Sequence, residues 1–340
     1  MAVASRKSAA DTLWPEADAF VREELEPHRP AIVAHCYRML GSLADAEDLA
    51  QETLVRAWRK RAQRSGDGST RAWLYAIATR ACLDTLRRRK RREHRAEIVG
   101  TEHLETYARV DPFPDQLLGP EAELFARESI NLAFIAALQR LGAKQRAALL
   151  LVDVLGWTAD EAATLLDTGQ PALNSLLQRA RRTAGEAWRD RRPPPADDRA
   201  TLERFIAAWQ SGDPDRLAAM LAADARLAMP PGADVYRGRD EIMRLLERFV
   251  RDAPATYHLV PVSVNGAASV AIYKRTATGA FAPSGISVLE TEAGLVKRVV
   301  RFDASAELFD RCGLPALPPA RGHASLLDQR STATRADRCR

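Results

Sequence analysis

The apolar residues of this chain change their period along the sequence, and that change constrains the fold more than any other feature. From Glu16 to about Arg95, and again from Glu121 to Arg192, they recur every three or four positions, which predicts amphipathic helices. From Thr256 onward the period falls toward two, which predicts antiparallel strands. The fold class we predict is therefore multidomain, with two all-α domains followed by an α+β domain.

Helix-breaking segments mark the domain boundaries. Prolines in VDPFPD and LLGP interrupt the helical pattern, and the RRPPPADD run forms a stiff spacer before the last domain. We predict a disordered tail at residues 1–15, a helical domain at 16–95, a linker at 96–124, a second helical domain at 125–192, a proline-rich linker at 193–198, an α+β domain at 199–318 and a disordered tail at 319–340.

The last domain combines helices and strands. Three helical patterns come first, and the second of them is marked by Leu217, Met220 and Leu221. Asn265-Gly266 then predicts a hairpin turn, and a second turn is predicted at Glu292-Ala293-Gly294. Helices followed by antiparallel strands indicate the α+β class.

Positive charge is concentrated in one part of the chain. The whole chain carries a net charge of only +5, but between Arg56 and Arg95 fourteen Lys and Arg residues face three acidic ones. Segments this basic are typical of nucleic-acid binding or of a solvated surface. The four cysteines form no CxxC pair and the six histidines show no metal-ligand spacing, so we expect no disulfide framework, no metal and no cofactor.

The sequence also carries no sign of a membrane segment. No apolar run approaches the ~18 residues that a membrane span needs. The amino-terminal segment lacks the apolar core of a signal peptide. We therefore predict a cytoplasmic protein with no membrane partner.

The stretch DAEDLAQETLVRAWRK, Asp45 to Lys60, predicts a helix with two different faces. One stripe is apolar and must pack on a core, whereas Asp48, Gln51 and Glu52 share the outward side. Acidic residues at the start and basic ones at the end also suit the helix dipole. Periodicity alone leaves two interpretations open, a solvated helix or a protein-binding face.

The next predicted helix, Arg71 to Arg92, has a wide apolar face and ends in six consecutive basic residues. A basic helix end beside exposed aromatic side chains can bind phosphates and stack against bases. The alternative is that Trp73 is a core residue and that the charged end serves only solubility.

A helix-turn-helix is predicted between Leu151 and Arg182. Thr158 and Glu161 have the spacing of a capping box at the start of the first helix, and Asp167-Thr168-Gly169 forms the turn. The second helix exposes the amide and guanidinium groups that can read base edges in the major groove: Asn174, Gln178, Arg179, Arg181 and Arg182. An ordinary helical hairpin with an arginine-rich end is the alternative.

Taken in order, these motifs resemble the sigma-seventy family of bacterial transcription initiation factors. The resemblance is carried by AHCYRMLGSLADAEDLAQETLVRAW, AWLYAIATRACLDTLRRR and LNSLLQRARR. It points to the extracytoplasmic-function group, which keeps only the second and fourth sigma regions, and to the subgroup with a C-terminal SnoaL-like domain of the nuclear-transport-factor-two-like superfamily. It covers about residues 16 to 318. It implies a non-enzymatic protein whose partners are core RNA polymerase and promoter DNA.

The resemblance also implies roles for single residues. Asp48, Gln51, Glu52 and Arg56 match the region that docks on the clamp helices of the polymerase β′ subunit, and the β flap is expected as a second polymerase contact. The residues that match the part opening and holding the minus-ten element are Arg71, Trp73, Arg80, Arg87, Arg88 and Arg91, with the loop between Gln63 and Thr70 accepting a flipped base. The residues that match the minus-thirty-five reader are Thr158, Gln170, Asn174, Ser175, Gln178, Arg179 and Arg182.

Some positions depart from the family pattern. Arg80 stands where the family commonly has Asn, so the family's minus-ten base preference is not assigned to this chain, and the family's minus-thirty-five sequence cannot be carried over. Asp167 and Gly169 stand where Gly and Ser are common, and Pro171 is atypical. Asp and Gly both tolerate turns, so the hairpin is still expected.

In the last domain the resemblance implies a cone-shaped pocket formed by a curved sheet and helices. Its candidate lining residues are Trp209, Met229, Tyr236, Tyr273 and Phe302. His258 and Asp303 are the acid–base candidates, although no spacing indicates that they meet. We therefore expect a regulatory or structural domain, acting through an unknown small ligand or an intramolecular contact. Packed aromatic side chains and a surface histidine are the alternative.

Two other functions are compatible with parts of this pattern. One is a repressor whose pocket senses a small molecule, and the other is a SnoaL-type enzyme fused to a DNA-targeting module. A repressor needs only one DNA reader and is usually a symmetric dimer. Two DNA-facing modules and an acidic helix favour a promoter-specificity subunit of RNA polymerase.

Overall fold

The computed structural model describes residues 19–63, 69–93, 107, 110–118, 130–189, 198–230 and 235–319. The chain forms two compact units. The first contains residues 1–100 and 137–185, and the second contains residues 101–136 and 186–340. The segment that connects the two helical modules in sequence therefore belongs to the C-terminal unit.

Helices build the first unit. Short π- and 3₁₀-helical turns at Val21–Leu25 and Glu26–His28 lead into α1, and a 3₁₀ turn at Arg61–Gln63 follows α2. The helices are α1 (Arg29–Leu40), α2 (Leu43–Lys60), α3 (Thr70–Glu93), α4 (Leu132–Gln139, which crosses the unit boundary), α5 (Ala143–Leu149), the π-helical turn Leu150–Val154, α6 (Ala159–Leu165) and α7 (Gln170–Arg189).

The core of the first helical module contains an imidazole without a charge. His35 on α1 is fully buried, and its Nε2 lies 2.9 Å from Oγ1 of the buried Thr79 on α3. The edge of the Tyr75 ring lies against it, with ring centroids 5.1 Å apart. Burial, together with a smaller contribution from the nearby Arg38, lowers the pKa of His35 to about 3. The module is thus built around neutral His35.

The helix-turn-helix forms as its sequence predicts. Oγ1 of Thr158 accepts a hydrogen bond from the Glu161 amide at 3.3 Å, and Oε2 of Glu161 accepts one from the Thr158 amide at 2.8 Å, which closes the capping box. Asp167 takes a left-handed conformation, with φ of 49°, in the turn that follows α6. Helix α7 is interrupted at Gly185, which has φ of 52° and ψ of −127°. The chain leaves the first unit at this glycine.

The C-terminal unit joins helices to a six-stranded sheet. Its elements are the 3₁₀ turn Asp115–Leu117, α8 (Asp198–Gln210), α9 (Pro214–Met220), β1 (Leu221–Ala228), β2 (Val235–Arg237), α10 (Arg239–Arg251), α11 (Ala253–Thr256), β3 (Tyr257–Val264), β4 (Ala267–Arg275), β5 (Phe281–Glu292), β6 (Leu295–Asp303) and α12 (Ala306–Arg311). The strand order is β2-β1-β6-β5-β4-β3, with β1 and β6 parallel and all other neighbours antiparallel. The predicted α+β class is confirmed.

Both predicted hairpin turns are present, but one helix prediction is wrong. Asn265-Gly266 joins β3 to β4 and Ala293-Gly294 joins β5 to β6, and all four residues have positive φ, as a type I′ turn requires. Leu221, predicted to lie on the second helix, instead starts β1. The alanine-rich run after Met220 resembles a helix in composition, but Asp224 and Arg226 are exposed while Ala225 and Leu227 are buried. That alternation is the period of a strand.

Each face of the sheet is covered differently. Helices α8, α9 and α10 pack on one face through residues that include Leu202, Leu217 and Ile242, which are fully buried. On the other face the ring of Phe309 on α12 meets Tyr273 edge-on, with centroids 5.0 Å apart. Among the described residues, no helix is both long and apolar enough to cross a membrane.

The neutral burial of His35 makes the stability of the first unit depend on pH. The pKa of His35 is about 3 when folded but near 6.5 when unfolded, so between these values the unfolded chain binds more protons. We expect the unfolding free energy to fall by up to about 1.4 kcal/mol for each pH unit below about 6.5. Urea unfolding of wild type and His35→Gln at pH 7, 6 and 5 measures this slope, which the substitution should remove.

The matched control is His28→Gln, which changes a partly exposed histidine next to the same helix. This variant should keep the wild-type slope. Equal slopes in wild type and His35→Gln would show that another group sets the pH dependence.

Candidate functional site

The outward face of α2 carries an acidic and amide stripe. Asp48, Gln51 and Glu52 are all exposed on it, and Val55 next to them is 40% exposed, which is unusual for a branched apolar side chain. Arg56, the fourth predicted polymerase-binding residue, donates from Nη2 to Oε1 of Glu52 at 2.6 Å and neutralises part of the charge. The opposite face of α2 is buried. The stripe is therefore a mainly acidic and amide surface with one exposed apolar residue beside it.

Helix α3 carries a separate, cationic stripe. Trp73, Arg80, Arg87 and Arg91 are spaced by seven, seven and four residues, so they share one side of a helix that turns about 100° per residue. Arg80, Arg87 and Arg91 are exposed and Trp73 is partly exposed. Their shared face combines guanidinium groups with an aromatic ring, which suits a nucleic-acid backbone with unstacked bases.

The other predicted minus-ten residues lie off this stripe. Arg71 is about 160° round the helix from Trp73, and its guanidinium lies 5.7 Å from the centroid of the Tyr75 ring. Arg88 is exposed and donates to Oγ1 of Thr85 at 3.0 Å. In the loop predicted to accept a flipped base, residues 64–68 lie outside the described residues. One cation that the sequence did not distinguish, Arg89, faces inward and pairs with Asp45 at the start of α2.

The second helix of the helix-turn-helix exposes one polar side. Asn174, Gln178 and Arg182 are exposed at intervals of four residues, while Leu173 and Leu177 are buried on the opposite side. Gln170, Ser175 and Arg179 are also exposed on α7, whereas Thr158 lies at the start of α6, with its hydroxyl in the capping box. Arg181 instead forms a two-point ion pair with Asp153, at 2.8 and 2.6 Å.

The segment between the two helical modules docks on the C-terminal sheet. The side-chain Oδ1 of Asn265 accepts a hydrogen bond from the backbone amide of Phe113 at 2.9 Å. The backbone amide of Asn265 donates to the backbone carbonyl of Phe113, also at 2.9 Å. Nδ2 of Asn265 donates to the carbonyl of Ile130 at 2.8 Å. One turn residue therefore holds two points of the segment, Phe113 and Ile130, that are 17 positions apart in the chain.

Asp115 strengthens the same docking. It is only 2% exposed, accepts from the Gly266 amide at 2.9 Å through Oδ1, and pairs with the Ser263 hydroxyl through Oδ2. Tyr107 adds a third contact, because its hydroxyl accepts from Nη1 of Arg298 at 3.0 Å. Neither Asp115 nor Asn265 was predicted as a site residue. The only signal in the sequence was the Asn265-Gly266 turn, and a turn motif does not indicate a contact with a residue about 150 positions away.

The C-terminal unit contains a cavity of about 300 Å³ between the sheet and helices α8 and α10. Apolar side chains form most of the wall, and Phe249, 44% exposed, lies at its rim. The polar lining residues are Trp209, Tyr257, Lys274, Ser284, Ser287 and Arg301. Trp209 is 9% exposed, and its Nε1 has no hydrogen-bond partner among the described residues. An unpaired buried donor costs about 1–3 kcal/mol.

The predicted pocket residues are divided between the two faces of the sheet. Trp209 and Met229 line the cavity. Tyr273 and Phe302 alternate with the lining residues Ile272 and Arg301, so they point to the opposite face, where the Tyr273 hydroxyl donates to the Pro315 carbonyl at 2.7 Å. Tyr236 packs against the core on β2 and is not part of the lining. Ser287 was missed, and so were Lys274 and Arg301, although these two lie two positions from the apolar lining residues Ile272 and Val299.

The two acid–base candidates do not meet. His258 alternates with the lining residues Tyr257 and Leu259, and its ring lies 6.0 Å from the Phe281 ring centroid. The side chain of Asp303 is 90% exposed and lies 3.9 Å from Arg301. His258 and Asp303 thus lie on opposite faces of the sheet. Within the described residues no group of three or more His, Cys, Asp and Glu side chains could hold a metal ion.

A helical module with an acidic and a cationic stripe, a helix-turn-helix and a cavity-bearing α+β domain define a multidomain transcription protein. Comparison with known families agrees, since residues 25–92 match Sigma-70 region 2, residues 131–183 match Sigma-70 region 4 and residues 202–299 match the SnoaL-like domain. The chain is 39% identical over 307 residues to the ECF RNA polymerase sigma factor SigG of Mycobacterium tuberculosis, covering 85% of this chain and 82% of the relative. This chain belongs to the extracytoplasmic-function (ECF) sigma factor family.

Two further relatives extend the comparison. The probable ECF RNA polymerase sigma factor SigI of Mycobacterium tuberculosis is 28% identical over 280 residues, covering 80% of this chain and 89% of the relative. The crystal structure of SigJ from the same organism covers 86% of this chain and all of that chain, with a TM-score of 0.61 at 24% identity, and so has the same fold. Sigma factors are not enzymes, and this chain is a sigma factor with an appended SnoaL-like domain.

Proposed function

We propose that this sigma factor binds the core polymerase through the acidic stripe of α2 and the promoter through α3 and α7, under the control of its C-terminal unit. The observation that carries the proposal is the separation of charge within one unit. The outer face of α2 carries Asp48, Gln51 and Glu52, while exposed guanidinium groups lie on α3 and α7. We infer that the protein acts in the cytoplasm, where the core polymerase is.

The acidic stripe fits a protein partner better than DNA. Asp48 and Glu52 would repel phosphate but attract a basic surface, and the exposed Val55 next to Glu52 offers an apolar contact. The expected partner is the pair of clamp helices of the polymerase β′ subunit, with the β flap as a second contact. The polar stripe would set the orientation and the association rate of the complex with polymerase, and the exposed Val55 would add to the affinity.

The cationic stripes fit two different parts of a promoter. On α3, Arg80, Arg87 and Arg91 would neutralise phosphates of the minus-ten element, while Trp73 offers a ring on which a freed base can stack. On α7, Asn174, Gln178 and Arg182 have the groups that bond base edges in the major groove of the minus-thirty-five element. Stacking and phosphate contacts would repay the cost of unstacking bases, a few kcal/mol per step, so melting needs no catalytic group.

The compact form of the first unit argues for a resting state. Arg146 on α5 is only 4% exposed, and its Nη1 donates to the Met39 carbonyl on α1. This bond joins the two sigma regions. The same Nη1 donates to Oε1 of Gln139 at 2.6 Å. Elements about 25 base pairs apart are separated by roughly 85 Å along B-DNA, at about 3.4 Å per pair. A compact unit of about 150 residues has a radius of gyration of about 15 Å. The regions must therefore separate to contact both elements at once.

The docked linker supports a regulatory role for the C-terminal unit. Residues 110–118 lie between the two sigma regions in the chain but are bonded to the β3–β4 turn through Phe113 and Asp115. While this segment stays docked, it cannot extend between the separating regions. We infer that the SnoaL-like domain limits promoter binding by holding the linker, and that release of the linker raises activity.

The double charge reversal Asp48→Arg with Glu52→Arg tests the polymerase contact. Core affinity should fall at least about a hundredfold, because attraction to a basic surface becomes repulsion. Fluorescence anisotropy of the labelled sigma factor with core polymerase measures this, and circular dichroism should show unchanged helix content. Glu203→Arg with Asp240→Arg makes the same change of charge on the C-terminal unit and should bind like wild type. If both double variants bound core polymerase with equal affinity, the stripe would be only a solvated surface and not the polymerase contact.

Substitutions on α7 separate base reading from phosphate binding. Asn174→Ala or Gln178→Ala should weaken binding to the preferred promoter by about 1–3 kcal/mol and relax base preference. If the Arg182 side chain also contacts a phosphate, Arg182→Ala should make the slope of log K against log salt concentration shallower by about one. Binding of holoenzyme to a library of promoters at several salt concentrations distinguishes these effects. Arg216→Ala on α9 is the control, and an unchanged promoter preference in all α7 variants would refute the assignment.

Asn265→Ala tests control through the linker. It removes two buried hydrogen bonds and places a β-carbon in a left-handed conformation, which should destabilise the C-terminal unit by about 3 kcal/mol. Transcription from a cognate promoter should rise while affinity for core stays unchanged. Asn265→Gly keeps the backbone freedom but loses the bonds, so it should recover about 1 kcal/mol and still raise transcription. Unchanged output in both variants would contradict control by the docked linker.

A further inference from the structure

We propose that the cavity of the C-terminal unit binds a small apolar carboxylate, of the size of a medium-chain fatty acid or a compact aromatic acid. This goes beyond promoter recognition, because it assigns a ligand class to the cavity. It rests on the shape, the charge and the unpaired donor of the cavity.

The size of the cavity sets the size of the ligand. Its volume of about 300 Å³ lies at the lower end of ligand pockets, which run from about 300 to 1,000 Å³. Since a water molecule occupies about 30 Å³ of liquid, this space corresponds to roughly ten non-hydrogen atoms. The wall formed by Leu221, Leu227, Leu259, Val270 and Ile272 favours a hydrocarbon body over a sugar or a nucleotide.

The charged side chains of the lining are all cationic. Arg301 and Lys274 both line the cavity, and none of its described lining residues is acidic. The nearest acid that pairs with Arg301 is Asp303, at 3.9 Å, and that side chain is almost fully exposed. A guanidinium in a partly apolar wall attracts a carboxylate more strongly than one in water does.

The geometry of Arg301 places its guanidinium along the sheet face. Its Nη2 lies 3.5 Å from the Ser284 hydroxyl, and a β-carbon at Gly285 would approach it to 3.1 Å. Its charge also reaches the Tyr257 hydroxyl on β3, where it opposes the rise in pKa that burial causes. Gly285 thus leaves room for Arg301 to extend along β5, beside the apolar wall.

Trp209 supplies the second, independent observation. Trp209 lines the cavity, and its indole N–H is buried and has no partner among the described residues. Buried donors in native proteins are nearly always satisfied. A ligand with an acceptor atom would satisfy this donor, which an alkane-like ligand would not. The cationic side chains of Lys274 and Arg301, the apolar wall and the unpaired donor of Trp209 together favour an acid with a compact apolar body.

Isothermal titration calorimetry of the full chain with three probes of equal length tests the proposal. Octanoate has an apolar body with a carboxylate, 1-octanol is its neutral counterpart, and octylamine is the cationic counterpart. Octanoate should bind at least about tenfold more tightly than octanol, because a charge-assisted hydrogen bond replaces a neutral one. Octylamine should bind most weakly. Equal binding of the three probes, or no binding of octanoate, would overturn the proposal.

Substitutions locate the carboxylate. Arg301→Met keeps the aliphatic stem and should lower octanoate affinity about ten- to a hundredfold while changing octanol affinity less than about threefold. Arg301→Lys should retain part of the preference for the acid. Arg226→Met removes an exposed arginine from the neighbouring strand β1 and should leave binding unchanged. An equal loss in Arg301→Met and Arg226→Met would place the acid outside the cavity.

The indole of Trp209 reports on the location of the ligand. Its N–H resonance is identified as the indole signal that disappears in Trp209→Phe. Octanoate should shift this signal with the same concentration dependence as the calorimetric binding. Binding without any change in this signal would exclude the cavity as the site. These measurements use no polymerase, so their failure would leave the proposed promoter function untouched.

Discussion

The buried guanidinium of Arg146 is the interaction on which the arrangement of the first unit depends. It donates from Nη2 to the carbonyls of Gln139 and Leu141, at 3.2 and 3.3 Å, in addition to its bonds from Nη1. Burial lowers its pKa to about 10, and its Nε is left without a partner in the described part of the chain. Taking a charge out of water costs several kcal/mol, and its new bonds only partly repay this. The contact therefore specifies one arrangement of α1 and α5 without making that arrangement hard to open. Separation of the two sigma regions would return water to the guanidinium.

The C-terminal unit uses a different kind of interaction to hold the linker. The bonds of Asn265 and Asp115 are short, buried and nearly complete, and the left-handed turn at Asn265-Gly266 orients them. A fully satisfied polar network of this kind is specific, and losing one member leaves others unpaired. The same residues that close the hairpin therefore serve as the receptor for the linker. The proposed control of the sigma regions would therefore depend on the same two side chains that close the β3–β4 hairpin.

Local signals predicted the fold well, while contacts between distant segments could not be predicted. The capping box of Thr158 and Glu161 and the turn at Asn265-Gly266 are decided by neighbouring residues, and both formed as expected. Strand β1 was missed because its alanines favour a helix, and it is pairing with β2 and β6 that makes it a strand. Asp115 had the composition of an ordinary linker residue, since nothing in its neighbourhood names Gly266. The pocket was half predicted: aromatic residues were chosen by type, but alternation along β4 and β6 decides which side chains face the cavity.

The cavity and the linker share one hairpin, and this sharing limits how a ligand could act. Leu259 and Val270 line the cavity from β3 and β4, and the turn that holds Phe113 closes the same two strands. From Leu259 to Val264 the strand runs about 17 Å, at about 3.3 Å per residue. A ligand can shift the linker between docked and released forms only by as much as its affinity differs between them. Leu259 and Val270, which line the cavity, lie on the paired strands β3 and β4. The difference in ligand affinity between the docked and released forms must therefore come from a small change in this hairpin, because the ligand and the linker are not in direct contact.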